Sequence, residues 1–157
     1  MLIPLYLSRV AAGFPSPADD HLELPLDLME HLIDHPAATF FVRAEGESQV
    51  GLGVFDQDLL IVDRSLNAQD GDLVIVALHG ELACKILDTQ HRRLLSSNAK
   101  YPPISLADDQ DVMIEGVVTA SIRYHRLQSS RTQGQQAPAQ RYQVERKGIR
   151  SSQLRGD

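Results

Sequence analysis

The sequence predicts a small, mainly β domain, either a folded sheet or a barrel, with one short helix, an extended N-terminal arm and a disordered C-terminal tail. Short runs rich in branched apolar residues alternate with turn residues between positions 39 and 124. Prolines and aspartates replace such runs near the start, and Gln, Ser and Arg replace them near the end. The predicted division is an arm over 1–24, a domain over 25–126 and a tail over 127–157.

The N-terminal part contains the predicted arm and the predicted helix. The stretch "AAGFPSPADD" (11–20) has two prolines, which favour extended geometry in the residues before them, and it lacks helical or strand periodicity. The stretch "PLDLMEHLID" (25–34) places apolar residues on one stripe, begins with a proline and is followed by Pro36. This pattern predicts a short amphipathic helix over 25–34.

After Pro36 the pattern is typical of β-strands. The step "LHGEL" (78–82) predicts a hairpin, because a two-residue turn separates two apolar runs. The six predicted strands are 39–44, 58–63, 72–78, 81–87, 92–96 and 111–124. The residues from Leu127 onward have too little apolar content to offset the entropy lost on ordering, so we predict a disordered tail.

Charge and cysteine content exclude several classes of function. Residues 1–126 hold 9 basic and 19 acidic residues, a net charge of −10, whereas the tail has a net charge of +4. An acidic body argues against broad binding to DNA phosphates and favours a protein partner. The single cysteine, Cys84, excludes an internal disulfide and a cysteine-cluster zinc site. We expect a cytoplasmic protein, since the sequence has neither a basic secretory leader nor an apolar run of about 20 residues.

The six histidines are scattered along the chain. His31 and His35 have the i, i+4 spacing that places two imidazoles on one helix face, but they lack the surrounding HExxH pattern of a zinc site. We therefore expect surface histidines, and neither a metal ion nor a cofactor.

The stretch "EGESQVG" (45–51) places Ser48 between two glycines, where it is either a turn residue or a nucleophile. No histidine has a context that identifies it as the base of a nucleophilic serine. A neutral lysine can replace histidine when its surroundings are apolar. Lys100 lies in a polar loop, whereas Lys85 shares a strand face with Ala83 and Leu87, so Lys85 is the better candidate. From these residues alone, a turn serine and a surface lysine remain the favoured interpretation.

Three segments together resemble the LexA/UmuD family of Ser-Lys self-cleaving peptidases, and most closely its UmuD-like members. They are "AGFPSPADD" (12–20), similar to the family's cleavage segment, "HPAATFFVRAEGES" (35–48), similar to the nucleophile segment, and "DGDLVIVALHGELACKIL" (70–87), similar to the strand pair with the catalytic lysine. Both spacings also fit the family, with 36 residues from Ala12 to Ser48 and 37 from Ser48 to Lys85. The likeness covers residues 11–126.

The resemblance implies both a fold and an activity. The fold is a LexA-like peptidase domain. The activity is an autocatalytic cleavage of the Ala12–Gly13 bond, with Ser48 as the nucleophile, Lys85 as its base and no cofactor. It further implies that a RecA–single-stranded-DNA filament stimulates the cleavage as part of the SOS response. The processed homodimer would then join a Y-family, UmuC-like polymerase subunit in error-prone translesion synthesis, without sequence-specific DNA binding of its own and without a membrane.

One position departs from the family pattern beside the predicted nucleophile. UmuD-like members have Met after the serine, whereas this chain has Gln49, and the loop at 50–57 lacks the usual Asp-Gly pair. We therefore expect a different lining beside Ser48. This departure supports an alternative function, in which a catalytically weak or inactive UmuD-like interaction protein regulates a polymerase without self-cleavage.

Overall fold

A computed structural model describes residues 1–6, 23–106 and 112–126 of the chain. The chain divides into one compact unit over Met1–Arg123 and a second over Tyr124–Asp157, of which only 124–126 are described. Most of the predicted arm (7–22) and the whole predicted tail (127–157) lie outside the described residues, so the extended arm and the disordered tail stay predictions.

Seven antiparallel strands form the main sheet, in the order β3-β4-β9-β5-β6-β7-β8. The strands are β3 (Thr39–Arg43), β4 (Leu59–Asp63), β5 (Leu73–Leu78), β6 (Glu81–Asp88), β7 (Arg93–Leu95), β8 (Ile104–Ser105) and β9 (Val112–Ile122). The long strand β9 pairs with β4 on one side and β5 on the other, and the register shifts once in each pairing. Such bulges bend and twist strands, which lets the sheet fold over itself. The predicted mainly β, folded-sheet domain is thus confirmed.

Both faces of the central strands are buried, as expected for a folded sheet. On β5, Ile75 packs in one apolar cluster, whereas Val74 and Val76 pack in a second. Because successive side chains of a strand point to opposite faces, these two clusters lie on opposite sides of β5. Ala83 and Leu87, the predicted same-face neighbours of Lys85, both belong to the second cluster.

The turn between β5 and β6 confirms the predicted hairpin and fixes the position of Lys85. His79 and Gly80 both have positive φ, of 49° and 84°, as the two-residue turns that suit twisted antiparallel strands require. The turn sets a register in which Val74 lies opposite Lys85. Lys85 is therefore held at the middle of a paired strand and not in a loop.

The N-terminal part differs from the prediction in two ways. Strands β1 (Leu2–Tyr6) and β2 (Glu23–Asp27) pair antiparallel in a separate two-stranded sheet. The helix α1 covers only Leu28–Leu32, so the predicted span of 25–34 was too long. The reason is that Pro25 belongs to β2, and the Asp27 side chain begins the helix by accepting a hydrogen bond from Met29 N at 3.0 Å.

Candidate active site

Ser48 lies in an ordered loop that follows β3. The base of this loop is closed by two backbone hydrogen bonds of 2.8 Å, from Ala44 N to Asp58 O and from Gln57 N to Ala44 O. Ser48 is half-buried and stands just before a short 3-10 helix, Val50–Leu52, whose cap Gly53 has a φ of 77°. The loop is thus held at both ends by its own backbone, which limits the positions available to Ser48.

The segment after β7 anchors the Ser48 loop. The carbonyl oxygen of Ser48 accepts hydrogen bonds from Asn98 N at 3.2 Å and from Ser97 Oγ at 3.4 Å. Ser97 Oγ also accepts from Gly51 N at 3.0 Å, and Asn98 Nδ2 donates to Glu47 O at 3.1 Å. Together with the bond from Ser97 N to Gln49 Oε1 at 3.1 Å, five hydrogen bonds therefore join residues 47–51 to residues 97 and 98.

Lys85 is half-buried and bonds to the same segment. Its Nζ donates to Ser96 Oγ at 2.9 Å and lies 5.9 Å from the centroid of the Tyr101 ring. No carboxylate among the described residues forms an ion pair with Lys85. The contacts of the amine are thus a hydroxyl and an aromatic ring, neither of which carries a charge.

Gln49 connects the two candidate residues through the backbone. Only 3% of its surface is exposed. Its Nε2 donates to Cys84 O at 2.9 Å and more weakly to Leu95 O at 3.4 Å, and its Oε1 accepts from Ser97 N at 3.1 Å. The residue after Ser48 is therefore bonded to the residue before Lys85, and both predicted dyad residues adjoin the segment 96–98.

The structure describes both candidate lysines but not the predicted cleavage bond. Lys85 makes its hydrogen bond to Ser96 and makes none to Ser48 within the described part of the chain. Lys100, the other lysine considered, is exposed. Ala12 and Gly13 lie outside the described residues, so the position of the predicted cleavage bond relative to Ser48 stays untested.

The titratable groups near the cluster have different environments. Burial raises the pKa of the Cys84 thiol to about 11, although the neighbouring Lys85 charge acts in the opposite direction. Further away, a hydrogen bond from Ser65 and a smaller effect of His35 lower the pKa of Asp63. His35 and His91 are more than half exposed and pair with carboxylates.

In the described ranges, no three His, Cys, Asp or Glu side chains converge to hold a metal ion, and no helix is long and apolar enough to cross a bilayer.

Comparison with known proteins identifies the family. The Peptidase S24-like family matches residues 4–119, which is more than half of the chain. The chain belongs to the Peptidase S24-like family. Protein ImpA of Escherichia coli is 44% identical over 128 residues, which are 82% of this chain and 87% of ImpA. Protein MucA of Escherichia coli is 41% identical over 125 residues, covering 78% of this chain and 86% of MucA.

A more distant relative supports the same assignment. The LexA repressor of Halorhodospira halophila is 37% identical over 120 residues, which are 74% of this chain but only 53% of the repressor. The resemblance to the LexA/UmuD family is thus confirmed. The identities of the nucleophile, its base and the cleaved bond stay predictions.

Two residues that the sequence did not assign to the site bond to it in the structure. Ser96 ends a predicted strand, and its hydroxyl bonds to Lys85. Gln49 departs from the family pattern, and its side chain makes three hydrogen bonds that the sequence does not predict. The sequence signal that could have indicated Ser96 is the polar run "SSN" (96–98), which directly follows the apolar pair of β7.

Proposed function

We propose that this chain is a self-cleaving serine peptidase that cuts its own Ala12–Gly13 bond with a Ser48–Lys85 dyad. The observation that carries the proposal is the common anchoring of both residues: Ser96 bonds to Lys85, while Ser97 and Asn98 bond to Ser48. Membership in the S24-like family supports peptidase chemistry at this cluster.

The reaction would begin with neutral Lys85. Its Nζ takes the proton of Ser48 Oγ, and the oxygen attacks the carbonyl carbon of Ala12. The resulting tetrahedral intermediate breaks the C–N bond to Gly13 as the Lys85 ammonium returns the proton to the leaving amine. Water then hydrolyses the ester on Ser48, with Lys85 again acting as base. This step releases the peptide that ends at Ala12 and restores the serine. Because the arm belongs to the same chain, its effective concentration at the site is high.

The negative charge of the tetrahedral intermediate requires hydrogen-bond donors. The backbone N–H groups of Ser48 and Gln49 donate none of the hydrogen bonds found among the described residues. They are therefore available to a bound oxyanion, and they precede the 3-10 helix at Val50–Leu52. We assign the oxyanion contact to these two groups as part of the proposed mechanism.

The cellular role follows from the family resemblance and not from the site chemistry. In this role a RecA–single-stranded-DNA filament stimulates cleavage during the SOS response. The product, residues 13–157, forms a homodimer that serves as accessory subunit of a Y-family, UmuC-like error-prone polymerase. The net charge of −10 over residues 1–126 supports a protein partner over direct DNA binding.

Two features favour a second candidate function. Lys85 Nζ bonds to Ser96 Oγ and not to Ser48, and Gln49 replaces the family's usual Met. A weak or inactive UmuD-like interaction protein, which regulates a polymerase without cleaving itself, is consistent with both features.

Intact-mass analysis after incubation at pH 9–10 distinguishes the two candidates. A lysine base acts only when neutral, so self-cleavage without a filament should rise with pH and release a product that begins at Gly13. Ser48→Ala and Lys85→Ala should both stop it while leaving the fold intact, and Lys100→Ala is the matched control. Cleavage that persists in Ser48→Ala, or a product that begins elsewhere, contradicts the assignment. A chain that stays intact at every pH supports the inactive alternative.

A further inference from the structure

The side chain of Gln49 occupies the place where the β6–β7 ladder ends. The last paired residues of these two strands are Ile86 and Leu95. At this end of the ladder, the amide of Gln49 donates to Cys84 O and Leu95 O and accepts from Ser97 N. These are backbone groups on both sides of the open end of the ladder.

A primary amide suits this place because it has the same donor and acceptor groups as a peptide unit. Cys84 O and Ser97 N lie where a longer ladder would have paired them, two positions before Ile86 and two after Leu95. The Gln49 side chain is 3% exposed, so water has little access to these groups. Buried backbone groups without a partner are costly, and Gln49 supplies partners on both strands.

The same side chain fixes the Ser48 loop on the strand of Lys85. Gln49 follows Ser48 directly, and Cys84, which accepts its shortest hydrogen bond at 2.9 Å, directly precedes Lys85. The Gln49 backbone carbonyl also accepts from Leu52 N at 3.0 Å and from Val54 N at 3.2 Å. Movement of the Gln49 amide would therefore shift the 3-10 helix and Ser48 together.

We propose that Gln49 is a positioning residue, whose amide sets the separation between Ser48 and Lys85 by bridging the open end of the β6–β7 ladder. The inference rests on the proposed dyad. It also gives the departure from the family's Met a physical role, since a thioether cannot donate to the two carbonyls. A displacement of about 1 Å between reacting groups can lower a rate about 100-fold.

The test needs a measurement of the separation that is independent of cleavage. In a full-length Ser48→Cys, Cys84→Ser chain, the introduced thiol reports on Lys85, because a nearby ammonium lowers a thiol pKa. The pKa is read from thiolate absorbance at 240 nm. Adding Lys85→Met calibrates the effect of the charge. Adding Gln49→Met should raise the thiol pKa by about half of that change or more, and Gln90→Met, at an exposed glutamine outside the Ser48 loop, should leave it unchanged.

Self-cleavage of the full chain at pH 9–10 gives the second readout. With Ser48 and Cys84 retained, Gln49→Met and Gln49→Glu should each lower the first-order cleavage rate by about tenfold or more, while Gln90→Met cleaves as the parent does. Glu keeps the shape of Gln but places a carboxylate against two carbonyl oxygens, so it tests the donor itself.

The outcomes separate the inference from the proposed function. If Gln49→Met leaves both the thiol pKa and the cleavage rate unchanged, the positioning role is wrong while the dyad stands. If Lys85→Met does not change the thiol pKa, the two residues are not neighbours, and both the dyad and the positioning role fail. If Gln49→Met cleaves more slowly with an unchanged thiol pKa, the amide acts on something other than the separation of Ser48 and Lys85, and the inference fails.

Discussion

Lys85 Nζ donates a hydrogen bond to Ser96 Oγ at 2.9 Å, across the open end of β6 and β7. A lysine side chain has four rotatable carbons and carries about 2 kcal/mol of rotamer entropy, so an unrestrained amine would point in many directions. The Ser96 hydroxyl restricts that freedom. When Lys85 is neutral, donating an N–H to Ser96 leaves its lone pair available for a second hydroxyl, and Ser48 is the candidate in the same cluster.

The first prediction concerns the Ser96 hydroxyl. Ser96→Ala should slow self-cleavage at pH 9–10 by about tenfold, because the base loses the group that orients it. Ser96→Thr keeps the hydroxyl and should retain most of the activity. Intact-mass time courses measure both rates. Complete loss in Ser96→Ala together with retained cleavage in Ser48→Ala would instead indicate that Ser96 is the nucleophile. If Ser96→Ala and Ser96→Val both cleave at the parent rate, the hydroxyl has no role in cleavage.

The second prediction concerns the contact between Gly51 and Ser97. A Cβ added at Gly51 would lie 3.0 Å from both the Cβ and the carbonyl oxygen of Ser97, closer than such atoms normally approach. Gly51→Ala should therefore push the 3-10 helix away from Ser97 and lower the cleavage rate by about tenfold. Because Gly51 is exposed and lies outside the buried core, Tm should fall by only a few degrees. Unchanged cleavage in a folded Gly51→Ala chain would contradict this close packing.

Most of the sheet could be predicted from the sequence because its signals are local. Each of the six predicted strands has branched residues between turn residues, and all six occur in the structure with ends that differ by at most two positions. Strands β1, β2 and β8 were not predicted, because Pro4 and Pro25 argue against the first two and β8 has only two residues. In the structure these prolines face each other in a two-stranded sheet, where each strand has a free edge.

The candidate site could be predicted only in part, for a physical reason. Ser48 and Lys85 could be proposed because residue type and spacing along the chain, which carry the family resemblance, are visible in the sequence. The contacts of Gln49 and Ser96 depend on where the β6–β7 ladder stops, and on which loop covers its end. Such contacts arise from tertiary register, so composition and periodicity do not indicate them.

The third prediction concerns acid stability and Asp88. A hydrogen bond from Arg93, assisted by those of His91, lowers the Asp88 pKa from 3.8 to about 2. A carboxyl whose pKa is lower in the folded state stabilises the fold above its unfolded pKa, and this contribution is lost as the pH falls toward 2. Asp88→Asn should therefore lower Tm at pH 6. The difference from the parent chain should shrink between pH 4 and pH 2, as thermal melts would show. A difference that is constant down to pH 2 would contradict the lowered pKa.

The fourth prediction concerns the reactivity of Cys84. Because burial raises its pKa to about 11 from the usual 9.0, only on the order of one thiol in a thousand is ionised at pH 8, against about one in ten for an unfolded chain. Iodoacetamide should therefore modify the native chain about 100-fold more slowly than the chain in urea, measured as mass gain with time.

The raised pKa also implies that Cys84 stabilises the fold below pH 9, and that this contribution is lost as the pH rises toward 11. Cys84→Ser should then lose less stability than the parent chain between pH 8 and pH 11, and it is a suitable background for the alkaline cleavage assays. Rapid alkylation of the folded chain at pH 8 would show instead that the thiol is accessible. The packing of Cys84 on β6 against the apolar cluster would then be looser than in the structure.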